Sequence, residues 1–218
     1  MKYLILGSSG FVAYHYINFL IHQKKEAQIF CVDIYDDKNF LNKFSNTKNI
    51  NFFKVSLLDR IALKKLLIKI NPDFIIHLAA QSSVAFSWSH PYESFTNNVY
   101  CFLNLLEELK NLKSEAKVLL VGSSEEYGKV HSKDIPIKEK VLLNPLSPYA
   151  ISRATQNQLA KIYSKAYDLN VICTRSFNHL GPNQSTKFVI SSFVDQAIKI
   201  KLKLQKTFTC GNINCKCI

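Results

Sequence analysis

Residues 2–13 read "KYLILGSSGFVA". The first five are a short β-rich apolar run, and after two glycines the chain enters "FVAYHYINFLIHQ", residues 11–23, whose apolar positions recur at helical spacing. Gly7, Gly10 and Ala13 therefore stand G-x-x-G-x-x-A between a strand and a helix. Small residues at this spacing let the backbone turn tightly and approach a pyrophosphate, which then meets the free N–H groups and positive end of the helix. Glycine spacing alone is a weak signal, because the same residues also serve an ordinary tight turn. Asp33 strengthens it, closing a second strand, "QIFCVDI", 23 residues after Gly10. A carboxylate there accepts hydrogen bonds from the adenosine ribose hydroxyls and repels a 2′-phosphate, so the expected cofactor is NAD(H) in preference to NADP(H).

Working outward, short apolar runs alternate with longer helical patterns along the whole chain. "NINFFKV", "DFIIHLAA", "KVLLVGSS" and "NVICTRSF" read as further strands, the middle two of the near-continuous apolar kind that is buried on both faces. "DRIALKKLLIKI" reads as a helix with Asp59 as its N-cap, "NNVYCFLNLLEELK" as a second, residues 147–167 as a third and "SSFVDQAIKIKLK" as a fourth. This order predicts an α/β fold: a Rossmann-like doubly wound parallel sheet with right-handed crossovers and helices on both faces. The least regular stretch, "GKVHSKDIPIKEKVLLNPLSP", lies between a strand end and a helix start, where ligand loops of such a sheet are found.

Composition narrows the function. A chain of 218 residues, 47% hydrophobic, suits one domain of the larger kind. No apolar run approaches the ~20 residues of a membrane span, and the first ten residues lack the features of a secretory signal, so the cytoplasm is expected and no membrane partner. The formal charge is +12, yet only Arg60, Arg153 and Arg175 are arginines and the lysines are scattered, which argues against a nucleic-acid partner. Cys31, Cys101 and Cys173 sit in apolar runs and read as core residues of a reducing compartment. Cys210, Cys215 and Cys217 form C-x4-C-x-C, which lacks the paired spacing of common zinc sites, and no metal is expected.

Three further strand ends carry polar residues: "HLAAQSSV", "VGSSEEYGKV" and "RSFNHLGPNQ". In a parallel sheet these ends lie side by side. Ser82, Ser123, Glu125, Asn178 and His179 are thus expected to converge on one cleft with Tyr149 and Arg153 of "SPYAISR", which share a helix face at i and i+4. Separately each has a plain structural explanation: turn serines, a solvated carboxylate, a loop histidine, an exposed turn of helix.

Through "GSSGFVA", "HLAAQSSV", "SSEEYGKV", "SPYAISR" and "RSFNHLGPNQSTKFV" the chain resembles the extended short-chain dehydrogenase/reductase (NAD-dependent epimerase/dehydratase) family, in its nucleotide-sugar branch. The last three stretches most resemble its GDP-deoxyhexose members, the GDP-6-deoxy-4-keto-mannose reductases and GDP-mannose 4,6-dehydratases. The resemblance implies roles. Tyr149 is the general acid or base at the sugar C4 oxygen, Ser123 hydrogen-bonds the same oxygen, and Glu125 matches the dehydratase base at C5. Gly7, Ser9, Gly10, Phe11 and Val12 line the pyrophosphate, and Leu78, Ala79, Ala80, Gln81 and Ser82 wall the cofactor. His179 contacts the nicotinamide end, while Asn178, with Ser82 and Ser123, faces the substrate. Ser56 and Leu57 stand where the family commonly places an acid near the adenine. A homodimer through residues 95–110 and 148–166 is also implied, and "VYCFLNLLEEL" carries more apolar surface than one sheet face is expected to cover.

Two departures stand out. The family cation beside the tyrosine is a lysine that also bonds the nicotinamide ribose, whereas this chain has Arg153; a close cation favours the phenolate, but a guanidinium is bulkier and differently directed. Family members also continue into a smaller C-terminal domain that closes over the sugar, so residues 1–205 are expected to form the NAD(P)-binding domain, with 206–218 a remnant of the substrate domain or an aberrant tail. The leading expectation is a reductase acting at C4 of a GDP-sugar, of low activity as the chain stands. Another nucleotide-sugar dehydratase or epimerase, or a non-catalytic dinucleotide-binding module, stays open.

Overall fold

The structure, a computed structural model, describes residues 1–24, 26–35, 43, 44 and 47–211. They divide into two compact units, residues 1–177 and the described part of 178–218.

In the first unit β1 (Lys2–Leu6) runs into α1 (Phe11–Gln23), followed by β2 (Gln28–Asp33) and β3 (Ile50–Lys54). Then come α2 (Arg60–Ile70), β4 (Phe74–His77), two short helices α3 (Val84–Ser89) and α4 (Pro91–Phe95), a π-helical turn at Thr96–Tyr100, and α5 (Cys101–Asn111). β5 (Lys117–Ser123), a 3₁₀ turn at Ser124–Tyr127, α6 (Pro148–Tyr167) and β6 (Val171–Ser176) complete it. The strands pair in parallel in the order β3-β2-β1-β4-β5-β6, so the topology reverses between β1 and β4, and a crevice opens at their carboxyl ends.

The expected helix starts are built from the expected caps. The Asp59 carboxylate accepts from Ala62 N (3.0 Å) and the Ser147 hydroxyl from Ala150 N (3.0 Å), with Pro148 in the first turn of α6, where its missing N–H costs nothing. On one face of the sheet Leu63, Leu66, Leu67 and Ile70 of α2 pack with Phe102, Leu105, Leu106 and Leu109 of α5 and Ala160 of α6. On the other, Ala13, Ile17 and Leu20 of α1 cover Ile5, Ile29 and Cys31. Burial of two helix layers on β1, β2 and β4 is what fixes the strand ends that form the crevice.

The structure differs from the sequence expectation at α5. Its apolar stripe does not exceed the space available: Cys101, Phe102, Leu105, Leu106 and Leu109 are all buried in the protein's own core. Exposed apolar side chains lie instead at Tyr100 and on α6 at Ile151 and Ile162. The stretch between β4 and the π-turn, "SSVAFSWSHPYESF", forms the two short helices broken at Pro91, an order that no long apolar period announces.

The second unit holds α7 (Val189–Lys201), none of whose residues is buried. Gln196 organises it, accepting from Thr209 N (2.7 Å) and donating to Thr209 O (2.9 Å), while Phe193 and Phe208 pack with ring centroids 5.0 Å apart. Among the described residues no helix is long and apolar enough to cross a membrane, and no group of three His, Cys, Asp or Glu side chains is placed to hold a metal. Cys215 and Cys217 lie outside the described residues.

Candidate functional site

Gly7 adopts φ +81°, and a Cβ there would lie 2.6 Å from Ala79 N and 2.7 Å from Ala79 Cα. Only glycine allows the β1 turn to lie this close to the β4 turn. Val32 O accepts from Gly7 N (2.9 Å) and Ser8 N (3.1 Å), and the Asp33 carboxylate accepts from Ser9 N (2.9 Å) and Ile34 N (2.8 Å). Each carboxylate oxygen therefore uses one lone pair to hold the loop and keeps another for a ligand hydroxyl. Gly10 is the N-cap of α1; it provides no capping side chain, and the first turn, with Phe11 and Val12, contains no acid. The positive end of α1 is thus left open to an anion, which is the chemistry a pyrophosphate requires.

The second wall is the turn after β4. Leu78 N donates to Leu6 O (2.9 Å), Ala79, Ala80 and Gln81 are half-buried, and Ser82 is exposed. Gln81 is clamped by Asn98, which accepts from Gln81 N (2.7 Å) and donates to Gln81 O (3.1 Å) and to Ser152 Oγ on α6 (2.8 Å). At the end of β3, Ser56 Oγ accepts from Leu58 N (3.3 Å), whereas the Leu57 side chain is packed in the core, leaving Ser56 as the polar group there.

Tyr149 and Arg153 occupy successive turns of α6, 7% and 5% exposed, and the guanidinium carbon lies 5.9 Å from the Tyr149 ring centroid. Arg153 keeps its place beside the phenol, but its fork turns inward. Nη1 donates to Gln156 Oε1 (2.9 Å) and Nη2 to Val121 O, while Nε, buried, has no hydrogen-bond partner among the described residues. Gln156 in turn donates to Asn98 O (2.8 Å). One N–H of each Nη is thus directed into the protein, so two of the five guanidinium donors are used internally. His77, on β4, is fully buried with neither ring nitrogen bonded to any described residue, and burial, followed by the Arg153 charge, pushes its pKa down to about 3.

Ser123 ends β5, its hydroxyl oxygen accepting from Glu125 N (3.2 Å), and no described residue takes its hydroxyl proton. Glu125 is exposed, and its neighbour Glu126 is buried. The first unit thus brings Ser123, Glu125, Tyr149 and Arg153 to the same sheet edge as Gly7–Asp33 and Leu78–Ser82. Asn178 and His179 belong to the second unit, where both are exposed and Gln184 Nε2 donates to His179 O (2.8 Å).

Sequence reasoning passed over Asn98, Ser152, Gln156, Glu126 and Asn157. The signal was periodicity: Asn98 stands four residues before Phe102 on the buried stripe of α5, and Gln156 and Asn157 fall in step with Tyr149, Arg153 and Ala160 on α6. A polar residue on an apolar stripe must find internal partners.

The family model described as GDP-mannose 4,6 dehydratase matches residues 4–216. A curated dTDP-D-glucose 4,6-dehydratase of Dictyostelium discoideum is 31% identical over an alignment of 212 positions that covers 92% of this chain and 49% of that protein. Among solved structures, UDP-glucose 4-epimerase of Thermus thermophilus in complex with NAD superposes with a TM-score of 0.81 at 26% identity, covering 91% of this chain and 63% of that one. RMD from Pseudomonas aeruginosa complexed with NADPH gives 0.79 at 28% identity, covering 94% and 64%. The chain therefore spans about half to two thirds of the length of these proteins. Two of these names differ in nucleobase, dTDP against UDP, and in reaction, dehydration against epimerisation, and the two solved structures hold NADPH and NAD.

Proposed function

The chain belongs to the GDP-mannose 4,6 dehydratase family, and from that membership and the site geometry we propose that it binds NAD(H) and acts on a nucleotide sugar at C4. One observation carries the proposal: Ser123 and Tyr149 stand on the same sheet edge as an α1 N-terminus left open for a pyrophosphate. The bound dinucleotide supplies a hydride acceptor or donor. Gly7, Ser9, Gly10, Phe11 and Val12 hold its diphosphate, Asp33 and Ser56 its adenosine end, and Leu78–Ser82 the opposite wall. The Tyr149 phenol exchanges a proton with the sugar C4 oxygen, and the free hydroxyl proton of Ser123 bonds that oxygen. Arg153 contributes charge near the phenol and stands at the position assigned to the cofactor cation. Asn178 is assigned to the substrate and His179 to the nicotinamide end.

Among the outcomes open to C4 chemistry, 4,6-dehydration is favoured by Glu125, an exposed carboxylate two residues beyond Ser123 that is able to take the C5 proton. Reduction of a GDP-4-keto-6-deoxy sugar is the second reading, supported by "NHLGPNQ". Incubation with GDP-, dTDP- and UDP-hexoses and mass analysis of the products separates them: dehydration loses water, reduction gains two hydrogens, and epimerisation leaves the mass unchanged. No change of any sugar, with NADH bound, would leave the dinucleotide-binding module alone standing.

The wider proposal has NAD(H) preferred over NADP(H), no metal, residues 1–205 as the NAD(P)-binding domain and 206–218 as the start of a substrate domain. It includes a cytoplasmic protein without nucleic-acid or membrane partners, a setting that suits the free thiols of Cys31, Cys101, Cys173 and Cys210. It also includes a homodimer through residues 95–110 and 148–166, supported by the exposed Tyr100, Ile151 and Ile162 rather than by the buried stripe of α5.

A further inference from the structure

Glu126 is 0% exposed, although it adjoins the exposed Glu125 in a four-residue turn. Its two oxygens meet three elements. Oε1 accepts from Ser123 N at the end of β5 (3.0 Å), Oε2 accepts from Asn157 Nδ2 on α6 (3.2 Å), and Arg175 Nε of β6 lies 3.6 Å from Oε2 as an ion-pair partner. Its backbone carbonyl accepts from Asn144 N (3.1 Å) in the segment leading to α6. The surrounding chain is shaped to admit the carboxylate. A Cβ on Gly122 would lie 2.6 Å from Glu126 Oε1 and would also run into Thr174 O, so only glycine leaves this space. Arg175 is fixed from its other side, Nη1 donating to Tyr127 OH (3.1 Å) and to Glu139 O (2.9 Å).

A buried charge that serves only stability is a poor choice, because an apolar residue of similar volume is generally no worse. What this one provides is geometry: the Ser123 peptide is tied to the helix that carries Tyr149, two turns before Asn157. We propose that Glu126 is a positioning residue of this site, its carboxylate holding the Ser123 amide, and with it the Ser123 hydroxyl, in fixed relation to the tyrosine helix. The kinetic part of this inference rests on the proposed chemistry at C4; the structural part does not. Burial raises the pKa of Glu126 against the opposing pull of the Ser123 N–H, Arg175, Arg153 and Asn157. The groups facing it are thus Ser123 from β5, Asn157 and Arg153 from α6, and Arg175 from β6, with Cys173 of β6 also within its field.

Two measurements on the full chain test it. In the ¹⁵N-labelled protein the Ser123 amide proton is expected far downfield, with a shift that titrates with a carboxylate above the ordinary glutamate range and that loses this titration in Glu126→Gln. A Ser123 amide without that titration in the wild-type chain overturns the proposal, whether or not the variant folds. In single-turnover hydride transfer to a nucleotide sugar, Glu126→Gln should be at least ~10-fold slower while NADH affinity stays within about two-fold, the separation expected of lost positioning. An unchanged rate, or a parallel fall of NADH affinity marking a general loss of fold, also overturns it. If the wild-type chain transfers no hydride to any nucleotide sugar, the proposed function fails, and the amide titration alone decides the role of Glu126.

Discussion

The two corners of the crevice use hydrogen-bonding capacity in opposite ways. At the Gly7 corner donors and acceptors are left over: the first turn of α1 has neither cap nor acid, and Asp33 holds Ser9 N and Ile34 N with one lone pair on each oxygen. At the Arg153 corner they are turned inward: the guanidinium donates to Val121 O and Gln156, and Gln156 to Asn98. The difference shows that one sheet edge can leave its glycine turn open while the cation beside its tyrosine is directed into the interior. Cofactor binding and chemistry should therefore respond separately to substitution.

The largest effect is expected at the cradle. Gly7→Ala places a Cβ at φ +81° and within 2.6 Å of Ala79 N, a backbone atom that cannot swing aside. Strain and overlap together should lower stability by about 3 kcal/mol and NADH affinity by ~100-fold or more. Thermal unfolding and NADH fluorescence titration read the two losses. A variant that binds NADH normally would show that the close approach of the β1 and β4 turns is unimportant for the cofactor.

Next comes Asp33→Ala, which removes both the ribose acceptor and the charge that repels a 2′-phosphate. Both cofactors should weaken because Ser9 N also loses its partner, yet the ratio of NADP(H) to NAD(H) affinity should rise by ~100-fold, or about 2.7 kcal/mol. Equal ratios in variant and wild type would limit Asp33 to holding the loop.

At the other corner, Arg153→Lys exchanges a fork that bonds two acceptors for a single flexible ammonium. Lysine cannot satisfy Val121 O and Gln156 Oε1 in the same manner, and released from them it is free to reach the ribose edge. NADH affinity should rise by ~10-fold, about 1.4 kcal/mol, while stability falls slightly. No gain in affinity, in a variant that unfolds at the wild-type temperature, would show that Arg153 already does what a lysine would do.

What was legible in the sequence was local. β1, the glycine turn and α1 follow from a dozen contiguous residues, and the Asp59 and Ser147 caps each act within three residues of themselves. The direction of Arg153 was not legible, because it is decided by Val121 on another strand and by Gln156, itself held by Asn98 from 58 residues away. Glu126 escaped for the same reason: beside Glu125 it reads as a second surface acid, and only the Asn157 and Arg175 contacts, from α6 and β6, make it interior. The two short helices α3 and α4 form where Pro91 interrupts the chain, too briefly for any period to show. The stripe of α5 was read with the right period, but the capacity of the core to absorb it depends on α2 and α6, which no single segment reveals.

The smallest effect concerns a residue behind both corners. The His77 ring lies 5.1 Å from that of Phe102, with both nitrogens unbonded among the described residues, and burial and the Arg153 charge push its pKa from 6.5 down to about 3. Because the folded-state pKa is depressed, the unfolded chain binds the proton first. The stability His77 contributes is therefore full above about 6.5 and is lost as pH falls from there towards 3. Between pH 7.5 and pH 6 that loss is roughly 0.8 kcal/mol, steepening to ~1.4 kcal/mol per unit at lower pH. Glu126 acts in the opposite sense: its raised pKa means the folded state takes up the proton more readily, so its contribution grows on acidification. The two separate by substitution. His77→Leu fills the same apolar slot without a titrating ring and should flatten the acid side of the stability profile by that roughly 0.8 kcal/mol, measured by urea unfolding at both pH values. An unchanged slope would mean that the ring takes up its proton in the folded protein, finding there a partner for its N–H groups, and that the space behind the Arg153 corner is not dry.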